Sequence, residues 1–166
     1  MEVPSHGALI VGVDGSAAAL AALRWSAAKA LLFDAPVVAV HAWLPSGLYR
    51  APYAPAGDAP TVEQDRHWAL RTLEETVAQL HQLDPAAVVV SVLDQGPPAA
   101  VLLHHARHAL LLALGRRTRQ DATVAPSAAV TRACERNAMC PVITVPELPQ
   151  DAKASDLPWL DLSAPA

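Results

Sequence analysis

The chain has 166 residues, enough for one domain with a sizeable core, and its apolar content is aliphatic because only 4% of it is aromatic. A net charge of −4 offers no electrostatic basis for binding nucleic acid, and no apolar run approaches the roughly 20 residues that span a bilayer. Two cysteines are too few for a disulfide framework, and the N-terminus lacks the basic stretch and cleavage site of a signal peptide, so a cytoplasmic protein is expected.

In chain order, Ala8–Val13 (ALIVGV) is a short continuous apolar run, the pattern of a strand buried on both faces. Asp14-Gly15-Ser16 ends it, and Ser16 is a good N-cap for an Ala/Leu-rich helix to about Leu32. Pro36–Ala42 reads as the second strand, and Leu44–Pro60 as a proline-rich loop without hydrophobic period. A helix from about Thr61 to Leu83 carries a stripe of Trp68, Leu70, Leu73, Val77 and Leu80. Ala86–Leu93 is the third strand, and Gly96-Pro97-Pro98 opens a helix to about His108. Leu110–Leu114 and Pro141–Val145 are the fourth and fifth strands, with a short helix between them.

Strands alternating with helices imply right-handed crossovers and a parallel sheet covered on both faces, an α/β fold. Residues 1–146 form the domain. Residues 147–166 carry four acids against one lysine and read as a flexible acidic tail, in which Leu157-Pro158-Trp159-Leu160 is at most a docking peptide.

The stretch between the fourth and fifth strands is the most informative. A strand, a loop and a helix start in that order can hold a phosphate, because the first turn of a helix offers unpaired N–H groups and a positive dipole end. Ser127 reads as the N-cap of that helix, and Arg116, Arg117 and Arg119 supply positive charge in the loop. His104 and His108 are four apart and share a helix face, but without further ligands an ordinary surface is the simpler reading than a metal site. Cys134 and Cys140 read as small hydrophobes. Asp14 and Asp94 close strands 1 and 3, but no acidic pair and no lysine after strand 5 complete a phosphoacceptor site. Neither a dinucleotide fingerprint nor a catalytic triad signature is present.

Four segments together resemble the universal stress protein family, particularly its actinobacterial members: VGVDGS (Val11–Ser16), VHAW (Val40–Trp43), the LALG ending of the fourth strand at Gly115, and NAMCPVITVP (Asn137–Pro146). The resemblance runs from Ala8 to Val145. It implies a five-stranded parallel sheet in the order 3-2-1-4-5 with helices on both faces, of the adenine nucleotide alpha hydrolase-like type, usually forming dimers. Some members bind ATP and others do not. In that order the winding reverses between strands 1 and 4, the place where open α/β sheets bind ligands.

ATP-binding members are similar in carrying Gly, two residues, Gly, nine residues, then Gly-Ser or Gly-Thr after the fourth strand. Here Gly115 keeps the first position, Thr118 replaces the second glycine, and Ala128-Ala129 replace the last pair. The resemblance assigns the nucleotide site to Asp14, Ala42 (by its backbone), Gly115, Thr118 and Ala128-Ala129; the residues themselves add the charge of Arg117, the amides of Ala128, Ala129 and Val130 at the helix start, and the hydroxyl of Thr131. Two readings follow, both of a stress-response regulatory or binding module rather than a turnover enzyme. In the favoured one the degenerate loop leaves the pocket silent and the domain works through dimerisation and unidentified protein partners. In the other, ATP held in the crevice drives a switch; slow ATP hydrolysis is a minor third possibility with no base to nominate. Dimerisation is expected through the fifth strand, where Val142, Ile143 and Val145 make an apolar edge. No metal, nucleic acid or membrane enters either reading.

Overall fold

The structure, a computed structural model, describes residues 6–49, 59–117 and 126–147. Five strands, β1 (Leu9–Gly12), β2 (Val37–Trp43), β3 (Val89–Gln95), β4 (Leu111–Arg116) and β5 (Val142–Pro146), form one all-parallel sheet in the order β3-β2-β1-β4-β5. The helices are α1 (Ala17–Phe33), α2 (Val62–Leu83), α3 (Pro98–His105) and α4 (Pro126–Asn137). The expected class and strand order are those observed.

Alternation along the strands divides the core in two. Leu9, Val11, Val37, Ala39 and Ala113 pack with Leu23 of α1 and Leu73 and Leu80 of α2 on one face. Ile10, Val38, Val40, Leu112 and Leu114 pack with Val101 and Leu102 of α3 and Cys134 of α4 on the other. Central β1 is buried on both sides, which is why its sequence shows no alternation.

Local signals place the helix ends. The Ala19 N–H donates to Ser16 Oγ at 3.1 Å, the expected N-cap. Thr61 opens α2 with a reciprocal capping box, giving to and taking from Gln64. The helix α1 ends in Asp34 at φ +48°, a left-handed cap whose N–H reaches the carbonyls of Ala30 and Leu31.

Several boundaries differ from expectation. Strand β3 begins at Val89 rather than Ala86, because Asp84 draws the amides of Ala86 and Ala87 into a turn at 3.2 Å each. Trp68 is 55% exposed and leaves the buried stripe of α2, which runs through Ala69, Leu73, Thr76 and Leu80. The loop after β2 opens with a 3-10 turn at Ser46–Tyr49, fastened to α2 by two hydrogen bonds from Ser46 to the Asp65 carboxylate. The rest of that loop, residues 50–58, and the tail beyond Glu147 lie outside the described residues. Among those described, no helix is long and apolar enough to cross a membrane.

Candidate functional site

The carboxyl ends of β1 and β4 separate at the reversal of winding and open a cavity of about 180 Å³. Its floor is apolar, made by Val40, Leu102, Leu114 and Val130. Asp14 and Arg117 are the charged residues that line it among those described.

On the β1 side the chain turns at Val13-Asp14-Gly15-Ser16. Gly15 sits at φ +81°, a conformation that suits glycine, and Asp14 Oδ1 accepts from the Ser16 N–H at 3.0 Å. Asp14 therefore has a structural duty in this turn while also lining the crevice.

The end of β2 contributes backbone. Leu9 N–H bonds Pro36 O and Val13 N–H bonds Val40 O, so even-numbered residues of β2 point their N–H and C=O toward β1. Gly96 N–H bonds Trp43 O, so odd-numbered ones face β3. Ala42 follows Val40 and points the same way, past the end of β1. In a continuing ladder its N–H would bond the Val13 carbonyl. That carbonyl instead accepts from His41 Nδ1–H at 2.6 Å, the ring nitrogen being necessarily the donor. Neither backbone group of Ala42 has a hydrogen-bond partner among the described residues, and Ala42 lines the crevice.

On the opposite wall, β4 passes against the first turn of α1. A Cβ on Gly115 would collide with the backbone of Ala18 and Ala19. The glycine retained from the phosphate motif is thus required by packing alone. Arg116 turns its carbonyl to the Glu147 N–H at 2.8 Å, joining the ends of β4 and β5, while Arg117 lines the mouth of the cavity.

Helix α4 starts at Pro126, so Ser127 stands in its first turn instead of capping it, a correction to the sequence reading. Ser127, Val130 and Thr131, spaced i, i+3, i+4, share the crevice face. Ala128 and Ala129 fall on the exposed side of that turn and do not line the cavity. Thr131 Oγ1 donates to the Ser127 carbonyl at 3.0 Å, so its proton is spent within the helix. Thr118 and Arg119 lie outside the described residues.

Of the residues assigned from sequence, the cavity thus gathers Asp14, Ala42, Gly115, Arg117, Val130 and Thr131. His41, Pro98 and Leu102 also line it and went unassigned. The proline and leucine are signalled only by their place on the helix after β3, whereas the role of His41 depends on strand parity.

Elsewhere, the histidines of the α3 region do not converge. His108 lies in a 3-10 turn after α3 and stacks on His6 at 5.6 Å, while His104 meets His105 edge-on. His105 Nε2 bonds Asp94 Oδ2 at 3.1 Å. Among the described residues no group of three or more His, Cys, Asp or Glu is placed to hold a metal. Cys134 is buried and Cys140 partly so; burial pushes both thiols up, that of Cys134 to about 11, consistent with small apolar residues.

The sequence matches the universal stress protein family over residues 7–146. The chain belongs to the universal stress protein family. Solved structures with the same fold include universal stress protein UspA from Lactobacillus plantarum, 20% identical with a TM-score of 0.65 over 84% of this chain and 97% of that one. A universal stress protein in complex with cAMP is 18% identical, with a TM-score of 0.59 over 87% and 99% of the two chains. The universal stress protein from Archaeoglobus fulgidus in complex with dAMP is 23% identical, with a TM-score of 0.57 over 84% and 98%. A comparison with curated proteins found no match.

Proposed function

We propose that this universal stress protein is a regulatory module that takes an adenine nucleotide base-first into the β1/β4 crevice. The observation that carries this reading is the backbone edge of Ala42, unpaired among the described residues, facing an apolar cavity. One N–H donor and one C=O acceptor on the same residue match the N1 acceptor and 6-amino donor of adenine. Hypoxanthine presents the same two functions in reverse order.

The cavity, about 180 Å³, is smaller than the roughly 300–1,000 Å³ of sites that enclose drug-sized ligands, which leaves the phosphates at the mouth. There the described residues offer the Arg117 guanidinium and the Ser127 hydroxyl, the Thr131 hydroxyl being engaged within its own helix. A monophosphate suits this end better than a triphosphate, and Thr118, Ala128 and Ala129, standing where ATP-binding members have glycines and a hydroxyl, point the same way. The AMP-class ligands in solved relatives, cAMP and dAMP, support it. Titration calorimetry with AMP and IMP tests the reading. AMP is expected to bind at least about tenfold more tightly, the value of one well-formed hydrogen bond; equal binding, or no heat with AMP, overturns it.

The module acts as a dimer paired through β5. Leu112 N–H bonds Pro141 O and Glu147 N–H bonds Arg116 O, so odd-numbered residues of this stretch face β4 and the N–H and C=O of Val142 and Thr144 face outward. Val142 and Ile143 are half-buried, and Val145 is buried within the subunit, so the outward backbone rather than the whole apolar run offers the edge. Thr144→Pro removes an outward donor and is expected to give monomers by sedimentation velocity at a concentration where the parent is dimeric; a monomeric parent contradicts the assignment.

A further inference from the structure

We propose that His41 is a positioning residue that keeps the Ala42 edge open for the base, an inference that rests on the nucleotide reading for its purpose but not for its geometry. His41 belongs to β2 but lies on the α1/α2 face with Val37 and Ala39, opposite to Val40 and Ala42. From there its Nδ1–H crosses to the Val13 carbonyl at 2.6 Å.

Two consequences follow from that one bond. Val13 directly follows β1 and already gives its N–H to the Val40 carbonyl. With its carbonyl taken by His41, both of its polar groups are held by β2, which fixes the start of the turn carrying Asp14. The ring N–H sits on the carbonyl that the ladder would offer to the Ala42 N–H, and no bond runs from Ala42 N to it among the described residues. The side chain thus substitutes for a backbone rung, and the displaced backbone donor is the group that meets the ligand. The bond to Val13 also holds the ring in the Nδ1–H tautomer, since a carbonyl accepts only.

Nitrogen-15 NMR and calorimetry on the full chain test this together. In the parent, His41 is expected as the Nδ1–H tautomer, and the Ala42 amide is expected to exchange far faster than that of Val40. In His41→Leu the Val13 carbonyl is released and the ladder closes, so Ala42 exchange slows at least about tenfold and AMP affinity falls at least about tenfold, one hydrogen bond's worth. His41→Gln, whose amide can donate, restores both within about threefold. An Nε2–H tautomer, or an Ala42 amide as protected as Val40 in the parent, overturns the proposal without any variant. So does a His41→Leu protein that keeps both Ala42 exchange and AMP affinity. Failure of the parent to bind AMP, with tautomer and exchange as described, removes the nucleotide reading and leaves the brace in place.

Discussion

At its β1–β2 end the crevice is bounded by backbone that is held from several sides, whereas at its α4 end it is bounded by a few side chains. At the first end hydrogen bonds hold Val13 to Val40 and His41, Ser16 to Asp14, and Ala19 to Ser16, while the Ala42 backbone has no partner among the described residues. At the second, Thr131 bonds its own helix, Ala128 and Ala129 face solvent, and Arg117 supplies the charge. On the proposed reading, recognition of a base and recognition of phosphates are separable here. A base would be met by main chain, which tolerates changes of side chain, whereas phosphates need small residues and free donors at set positions.

The largest effect belongs to the wall shared by both ends. Gly115→Ala places a methyl group against the backbone of α1 and is expected to cost about 3 kcal/mol in urea unfolding. A cost below about 0.5 kcal/mol would mean that packing does not explain this glycine. Arg117→Ala tests the phosphate end alone. It should weaken AMP about tenfold and leave adenosine unchanged, because a charge-assisted hydrogen bond is lost only to the phosphate. Equal loss for both ligands would place Arg117 against the base instead. Combining Thr118→Gly, Ala128→Gly and Ala129→Ser restores small residues and a hydroxyl; ATP should gain several-fold over AMP, about 1 kcal/mol. No gain by calorimetry would show that loop shape decides. The smallest effect lies away from both ends: Ser26 is buried in α1, and its hydroxyl has no partner among the described residues. Ser26→Ala should raise stability by about 0.5–1 kcal/mol with AMP affinity unchanged.

Element identity was legible because strands buried on both faces write continuous apolar runs and because Ser16 and Thr61 mark helix starts, whereas the strand order came from the family resemblance. The edge strand β3 is half-exposed, writes a weaker pattern, and was displaced by the turn at Asp84. Trp68 shows that large apolar residues near a helical stripe are not always on it. Within the site, Asp14, Ala42 and Gly115 were legible from the motifs that carry the family resemblance, yet the reason for Gly115 was not. A motif shows that glycine is needed; only the approach of α1 shows by what. His41 was illegible because its role comes from which neighbour each strand residue faces, which depends on sheet order and register together.

The separability of base and phosphate recognition is tested most directly by titrating adenosine, AMP and ATP into the full chain by calorimetry. AMP is predicted to bind about tenfold more tightly than adenosine, and ATP no more tightly than AMP. No heat with any of the three, or ATP favoured over AMP by about a hundredfold, would contradict a crevice that holds its ligand by the base.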